Sequence, residues 1–168
     1  GNSATVDTAQ IGGGNNTEGG DGNGNITDEQ AAPSISNVAI SGKLAVGEAL
    51  SGSYDFDAKT GNPTDTSEYQ WGAKGSTASV VESGEGKVIS QSGVVPSYTI
   101  DSSDVGQVLE VSVRAKNAAD VYGNSATVDT AQTGGGNNTE GGDGNGNITD
   151  EQAAPSISNV AISGKLAV

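Results

Sequence analysis

The stretch Leu109-Glu110-Val111-Ser112-Val113-Arg114-Ala115-Lys116 alternates apolar and polar residues, and this pattern decides the fold class. Because successive side chains of a strand point to opposite faces, the alternation predicts a β-strand with one face in a core. Shorter apolar runs, separated by Gly, Asn, Asp and Ser, occur at 36–41, 50–56, 68–73, 88–89, 97–100 and 126–128. About seven such strands without helical periodicity predict an all-β, two-sheet sandwich.

The predicted core is centred on Trp71, the only tryptophan of the chain. Tyr69 lies two residues earlier and therefore shares its face of the strand. We expect both rings to pack between two sheets against Leu109, Val111 and Val113.

The composition excludes several classes of function. The chain has 168 residues, a formal net charge of −14, seven Lys and Arg residues, and no cysteine or histidine. Disulfides, thiolate metal sites and the usual serine triad are therefore excluded, and zinc sites are disfavoured. The acidic balance argues against binding of nucleic acid or an anionic membrane surface, and no segment is long and apolar enough to insert into a membrane. The strong negative charge suits a secreted or cell-surface protein, and this is the predicted location.

A long internal repeat determines the predicted domain organisation. Residues 123–168 repeat residues 1–46 at an offset of 122 residues, with Thr133 in place of Ile11 as the single difference. Such near-identity indicates recent duplication within a tandem array, and the period is long enough for a whole domain with its linker. The predicted parts are the last strand of one repeat at 1–10, a Gly/Asn/acidic linker at 11–32, a sandwich domain at 33–132, the repeated linker at 133–154, and the first strand region of the next repeat at 155–168.

The order of short motifs within the domain resembles a known family. The motifs are Leu50-Ser51-Gly52-Ser53-Tyr54, Tyr69-Gln70-Trp71, Ser97-Tyr98-Thr99-Ile100, Asp104-Val105-Gly106 and Val111-Ser112-Val113-Arg114-Ala115-Lys116-Asn117. Together they are similar to the bacterial Ig-like repeats of large surface adhesins and invasin-type proteins. The resemblance implies an Ig-like sandwich with the tryptophan in its core and an Asp-Val-Gly turn before a central strand. It also implies a role in extending, anchoring or attaching.

Each linker contains a candidate calcium loop, Asp-Gly-Asn-Gly-Asn-Ile-Thr-Asp-Glu. Oxygen ligands at alternate positions, with a backbone carbonyl at the seventh, allow a short loop to surround a hard cation. The usual Gly at the sixth position is replaced by Ile26, and Ala32 occupies the position of the bidentate acid, so the next acids would substitute. The segment resembles the short acidic calcium repeats of extracellular proteins, and the alternative is a solvated, flexible linker. The predicted Ca²⁺ ligands are Asp21, Asn23, Asn25, the Thr27 carbonyl, Asp28 and Glu29, and in the second copy Asp143, Asn145, Asn147, Thr149, Asp150 and Glu151.

The sequence predicts a structural or adhesive repeat of a long extracellular protein, with neighbouring repeats as partners and calcium-stiffened junctions. Two alternatives stay open: the sandwich binds a carbohydrate or host protein through its loops, or strands pair between copies to form a filament. No catalytic residue is predicted. Asp55 and Asp57 flank Phe56, so both are expected to face solvent rather than to form a catalytic carboxylate pair.

Overall fold

The computed structural model describes residues 31–132, 136–151 and 157–165. Two four-stranded sheets, mostly antiparallel, enclose the hydrophobic core, which confirms the prediction of an all-β sandwich. The strands are β1 (Ser34–Lys43), β2 (Ala49–Asp57), β3 (Glu68–Ala73), β4 (Lys87–Val88), β5 (Val94–Thr99), β6 (Leu109–Lys116), β7 (Tyr122–Asp129) and β8 (Asn138–Glu140). A helix, α1 (Ala78–Glu82), follows β3, and a 3₁₀ turn (Ser102–Asp104) precedes β6.

The first sheet has the strand order β5-β2-β1-β8, and the second has the order β4-β3-β6-β7. All pairs of these strands are antiparallel except β1 with β8, which run parallel. The part of the chain that the structure describes thus contains eight strands, one more than the sequence suggests. The additional pairing comes from β8, which lies within the predicted linker.

The core between the sheets contains the residues that the alternation predicts. Trp71 is 7% exposed, and Leu109, Val111 and Val113 are almost completely buried. Tyr69 is half-buried and packs against this cluster. Trp71 Nε1 donates a hydrogen bond to the Pro96 carbonyl oxygen at 2.8 Å, which satisfies the polar atom of the buried indole.

Strand β6 is buried on both faces, which the alternation does not predict. Its polar residues Glu110 and Ser112 are 5% and 0% exposed. A carboxylate oxygen of Glu110 accepts hydrogen bonds from the backbone N–H groups of Gly75 and Thr77, and the Thr77 hydroxyl lies 2.6 Å from that of Ser112. The face of β6 that points away from the hydrophobic core is therefore covered by a small network of hydrogen-bonded polar groups.

Helix α1 packs on the same outer face and contradicts the expectation of a chain without helices. It has five residues, of which only Val81 is buried. A helical period needs a window of about 11 residues to be recognised, so a helix this short leaves no periodic signal.

The domain boundaries stay a prediction, to which the structure adds one fact. Residues 136–151 belong to the predicted linker 133–154, yet they lie along the sandwich and hydrogen-bond to it. The parts predicted for 1–10 and 11–32 fall outside the described residues, apart from residues 31 and 32.

Candidate functional site: the segment 136–151

Residues 136–151, called the strap below, run along one end of the sandwich. The strap begins beside β1, where β8 pairs in parallel with Ser41, Gly42 and Lys43. The Leu44 backbone N–H donates to the Glu140 carbonyl oxygen at 2.8 Å and continues this pairing beyond the end of β1. The first sheet therefore gains an edge strand from a segment whose composition is typical of a linker.

The centre of the strap is held by Ile148, which is 1% exposed and belongs to the main hydrophobic core. Its backbone N–H donates to the Gln107 carbonyl oxygen, and its own carbonyl oxygen accepts from the Gly106 N–H, both at 2.9 Å. On the other side, the Thr149 N–H donates to the Leu44 carbonyl oxygen at 3.1 Å. The strap therefore closes the gap between the end of β1 and the loop that leads into β6.

The asparagine that precedes β8 fixes the start of the strap. The Asn137 side-chain oxygen accepts from the Ile40 backbone N–H at 2.8 Å. Its amide nitrogen donates to the carbonyl oxygens of Asp129 and Gln132 at 2.9 and 3.1 Å. One amide side chain thus joins the middle of β1 to the end of β7, using both its acceptor and its donors.

Glycine is required in the strap where its backbone meets the sandwich. At Gly146 a Cβ atom would lie 2.3 Å from Ala131 Cα and 2.6 Å from the Thr130 carbonyl oxygen. At Gly144, which has nearly the same left-handed φ, a Cβ atom would meet nothing within 4 Å. The glycine content of the strap therefore reflects close packing at Gly146 and turn geometry at Gly144.

The predicted calcium ligands Asp143, Asn145 and Asn147 share one tight turn. One Asp143 carboxylate oxygen accepts the backbone N–H groups of Asn145 and Asn147 at 2.8 and 3.1 Å. The other oxygen accepts the Asn147 side-chain amide at 2.6 Å. These hydrogen bonds favour the ionised carboxylate and hold the pKa of Asp143 below its ordinary value. The bond from the Asn147 side chain has the largest effect.

The remaining predicted ligands of this copy lie elsewhere on the strap. The Thr149 carbonyl oxygen accepts the Val46 N–H at 3.1 Å, and the Glu151 carboxylate forms an ion pair with Lys43 at 2.5 Å. Asp150 is exposed. No group of three acidic side chains that could hold a metal ion occurs within 31–132, 136–151 and 157–165. The donor set therefore fits calcium in part: the Asp143 turn would supply a carboxylate and amide oxygens, while Thr149 and Glu151 already bind the sandwich.

The first copy of the predicted calcium site lies outside the described residues. Its members are Asp21, Asn23, Asn25, Thr27, Asp28 and Glu29. Calcium binding by either copy stays a prediction.

A shallow cleft opens at the edge between the two sheets. It has a volume of about 100 Å³. Its lining residues are Tyr69, Gln70, Trp71, Lys87, Ser97 and Tyr98. The rings of Trp71 and Tyr98 stack with centroids 6.1 Å apart. The Tyr98 hydroxyl donates to Asp104 at 2.8 Å, and burial together with this bond raises the pKa of Tyr98 to about 12.

Other aromatic and charged side chains of the sandwich have structural partners or face solvent. Tyr54 is 3% exposed and donates to Asp65, and the Arg114 guanidinium lies over the Tyr122 ring at 4.1 Å. Asp55 and Asp57 are exposed, as predicted.

Comparison with protein-family models, curated proteins and solved structures finds no match for this chain. Among the described residues, no helix is long and apolar enough to cross a membrane.

Proposed function

We propose that the chain is a stretch of a tandem array of Ig-like sandwiches that acts as a structural extender in an extracellular, surface-attached fibrous protein. The observation that carries this proposal is the near-identical 46-residue stretch that recurs at an offset of 122 residues, together with the strap. In such an array, the strap of each sandwich supplies an edge strand and a core residue to that sandwich and then leads into the next repeat.

The second copy of the first strand supports the array. Residues 157–165 have the same sequence as residues 35–43 of β1. In β1, Ile35 and Ile40 are 5% and 0% exposed, whereas their counterparts Ile157 and Ile162 are 85% and 100% exposed. Residues 157–165 form no strand in the structure, and in an array the repeat that follows would supply the sheet partners that bury their apolar side chains.

A role without catalysis is part of the proposal. The carboxylates of Glu110 and Asp104 are engaged in structural hydrogen bonds, and those of Asp55 and Asp57 face solvent. With no histidine or cysteine in the sequence, the most frequent general base at neutral pH and the thiolate nucleophile are missing.

Carbohydrate binding at the aromatic cleft is a second candidate, favoured by the stacked rings of Trp71 and Tyr98 beside Lys87 and Ser97. The cleft volume of about 100 Å³ makes it the weaker candidate, because ligand pockets usually measure about 300–1,000 Å³. Trp71 also offers little of its surface, since it is 7% exposed.

Small-angle scattering on an array of two repeats tests the extender proposal. Residues 47–168 appended after Val168 continue the sequence period without a new junction. We expect the maximum dimension to grow by one sandwich length per added repeat and to be independent of protein concentration. An unchanged dimension, as for repeats folded side by side, overturns the extender. Growth with concentration favours the filament alternative.

A further inference from the structure

We infer that the strap is an integral part of the folded repeat, so that the folded unit ends at Glu151 and only four residues connect it to the stretch that repeats β1. This inference rests on the proposed tandem array and specifies its junction. It replaces a connection of 22 residues, 133–154, with the residues 152–155, because Ser156 is the counterpart of Ser34, the first residue of β1.

Contacts at three separate points carry the inference. Near its start, Asn137 joins β1 to the end of β7. At its centre, Ile148 enters the core and its backbone bonds to Gly106 and Gln107. At its end, Glu151 pairs with Lys43. A free tether would have none of these, and its unpaired backbone groups would be satisfied by water.

The sequence of the strap is adapted to these contacts in a way that a spacer does not need. Any small polar residue suffices in a spacer, whereas Gly146 faces a wall formed by Thr130 and Ala131 that admits no Cβ atom. The Gly146 carbonyl oxygen accepts a hydrogen bond from the Thr130 hydroxyl at 2.6 Å in a buried position. Glycine at this position therefore allows the strap backbone to come within hydrogen-bonding distance of Thr130, the residue that follows β7.

The mechanical consequence follows from chain length. A connection of 22 residues can extend to at most about 75 Å, whereas one of four residues can extend to at most about 14 Å. Docking of the strap thus shortens the maximum reach between successive sandwiches roughly fivefold. Protein groups make all of the contacts described, so we expect the shortening to persist in the presence of a chelator.

A matched pair of glycine variants tests the inference by amide hydrogen exchange on the full chain. Gly144 and Gly146 have φ values of +83° and +86°, so alanine introduces similar backbone strain at each. Only Gly146→Ala also collides with Ala131. We expect the N–H groups of Gly106, Ile148, Thr149 and Val46 to be protected in the native chain, and their protection to fall about tenfold or more in Gly146→Ala relative to Gly144→Ala.

The measurements are made with a chelator and again with millimolar calcium. Protection in the presence of chelator supports the inference, and protection that appears only with calcium overturns it. An equal loss of amide protection in the two variants also overturns the inference, because the backbone strain of alanine at a positive φ would then explain the effect. If Gly146→Ala does not fold, Thr130→Val removes the hydroxyl without adding volume, and unchanged protection of Ile148 then overturns the inference. These results concern a single sandwich and are therefore separate from the two-repeat scattering that tests the array.

Discussion

The hydroxyl group of Thr130 donates a hydrogen bond to the Gly146 carbonyl oxygen at 2.6 Å and accepts one from the Leu109 backbone N–H at 3.1 Å. Thr130 is 4% exposed, so both bonds are shielded from water. One side chain thereby links the strap, the end of β7 and the first residue of the central strand β6. Its loss would leave a buried donor and a buried acceptor without this partner.

Replacement of Thr130 with valine is expected to lower the free energy of unfolding by about 1–3 kcal/mol, the usual cost of leaving buried polar groups unsatisfied. Valine preserves the shape of the side chain, so the decrease in the free energy of unfolding measures the contribution of the hydroxyl group. Urea denaturation of the full chain measures it. Thr99→Val, at an exposed position of β5, serves as the control and should change stability little. Equal stability of the two variants contradicts the prediction.

Removal of the Ile148 side chain tests whether the strap contributes to the core. Because Ile148 is 1% exposed, Ile148→Ala should cost about 2–4 kcal/mol. Asn145→Ala lies three residues away at an exposed position and should have almost no effect. Thermal or urea unfolding of the full chain compares them. A loss below about 0.5 kcal/mol for Ile148→Ala would show that the strap does not stabilise the sandwich.

The predicted core is tested at Trp71. Trp71→Ala should lower the free energy of unfolding by about 3–5 kcal/mol, as for other large core aromatics. Val88→Ala, at a position 57% exposed, provides the control. Fluorescence of the single tryptophan in the native chain should also be blue-shifted and poorly quenched by iodide. Efficient quenching of the Trp71 fluorescence by iodide would contradict this prediction.

Calcium binding is tested by titration calorimetry on the full chain, which contains both predicted loops. We expect two weak sites with dissociation constants on the order of 10⁻⁴–10⁻³ M, the range of extracellular modules. Asp143→Ala and Asp21→Ala should each remove one site, and the double variant should remove both. Asp57→Ala changes the charge equally and should leave both sites. Unaltered calcium binding in the double variant would refute the predicted ligands.

The Asp143 turn should weaken at acid pH. The folded-state pKa of Asp143 is lowered from 3.8, chiefly by its hydrogen bond from Asn147. A lowered pKa means that the stabilising contribution is complete above the unfolded value and is lost as pH falls through the folded value. An NMR titration of the Asp143 carboxyl carbon should therefore give a midpoint below 3.8. In Asn147→Ala the midpoint should move up toward that value, and an unchanged midpoint contradicts the assigned cause.

The candidate calcium loop could be predicted only in part. The alternate spacing of Asp143, Asn145 and Asn147 brings these residues into one turn, as the sequence suggests. The isoleucine at the sixth position of the loop, where a calcium loop has glycine, was the available signal that the segment has another role. Its counterpart Ile148 enters the core. One apolar residue among glycines gives no periodicity, so the docking of this segment was not predicted.

The sequence by itself determined seven of the eight described strands, the all-β class and the tandem repeat. Alternation with a period of two is a local property that a short stretch such as Leu109–Lys116 displays in full. Only the tertiary structure decided that β6 is buried on both faces and that residues 136–151 complete the sandwich. The physical reason is that these contacts join residues far apart in the chain, and most of them use a backbone N–H or C=O group on at least one side. Every residue except proline carries both of these groups, so the order of side chains does not reveal which of them will meet.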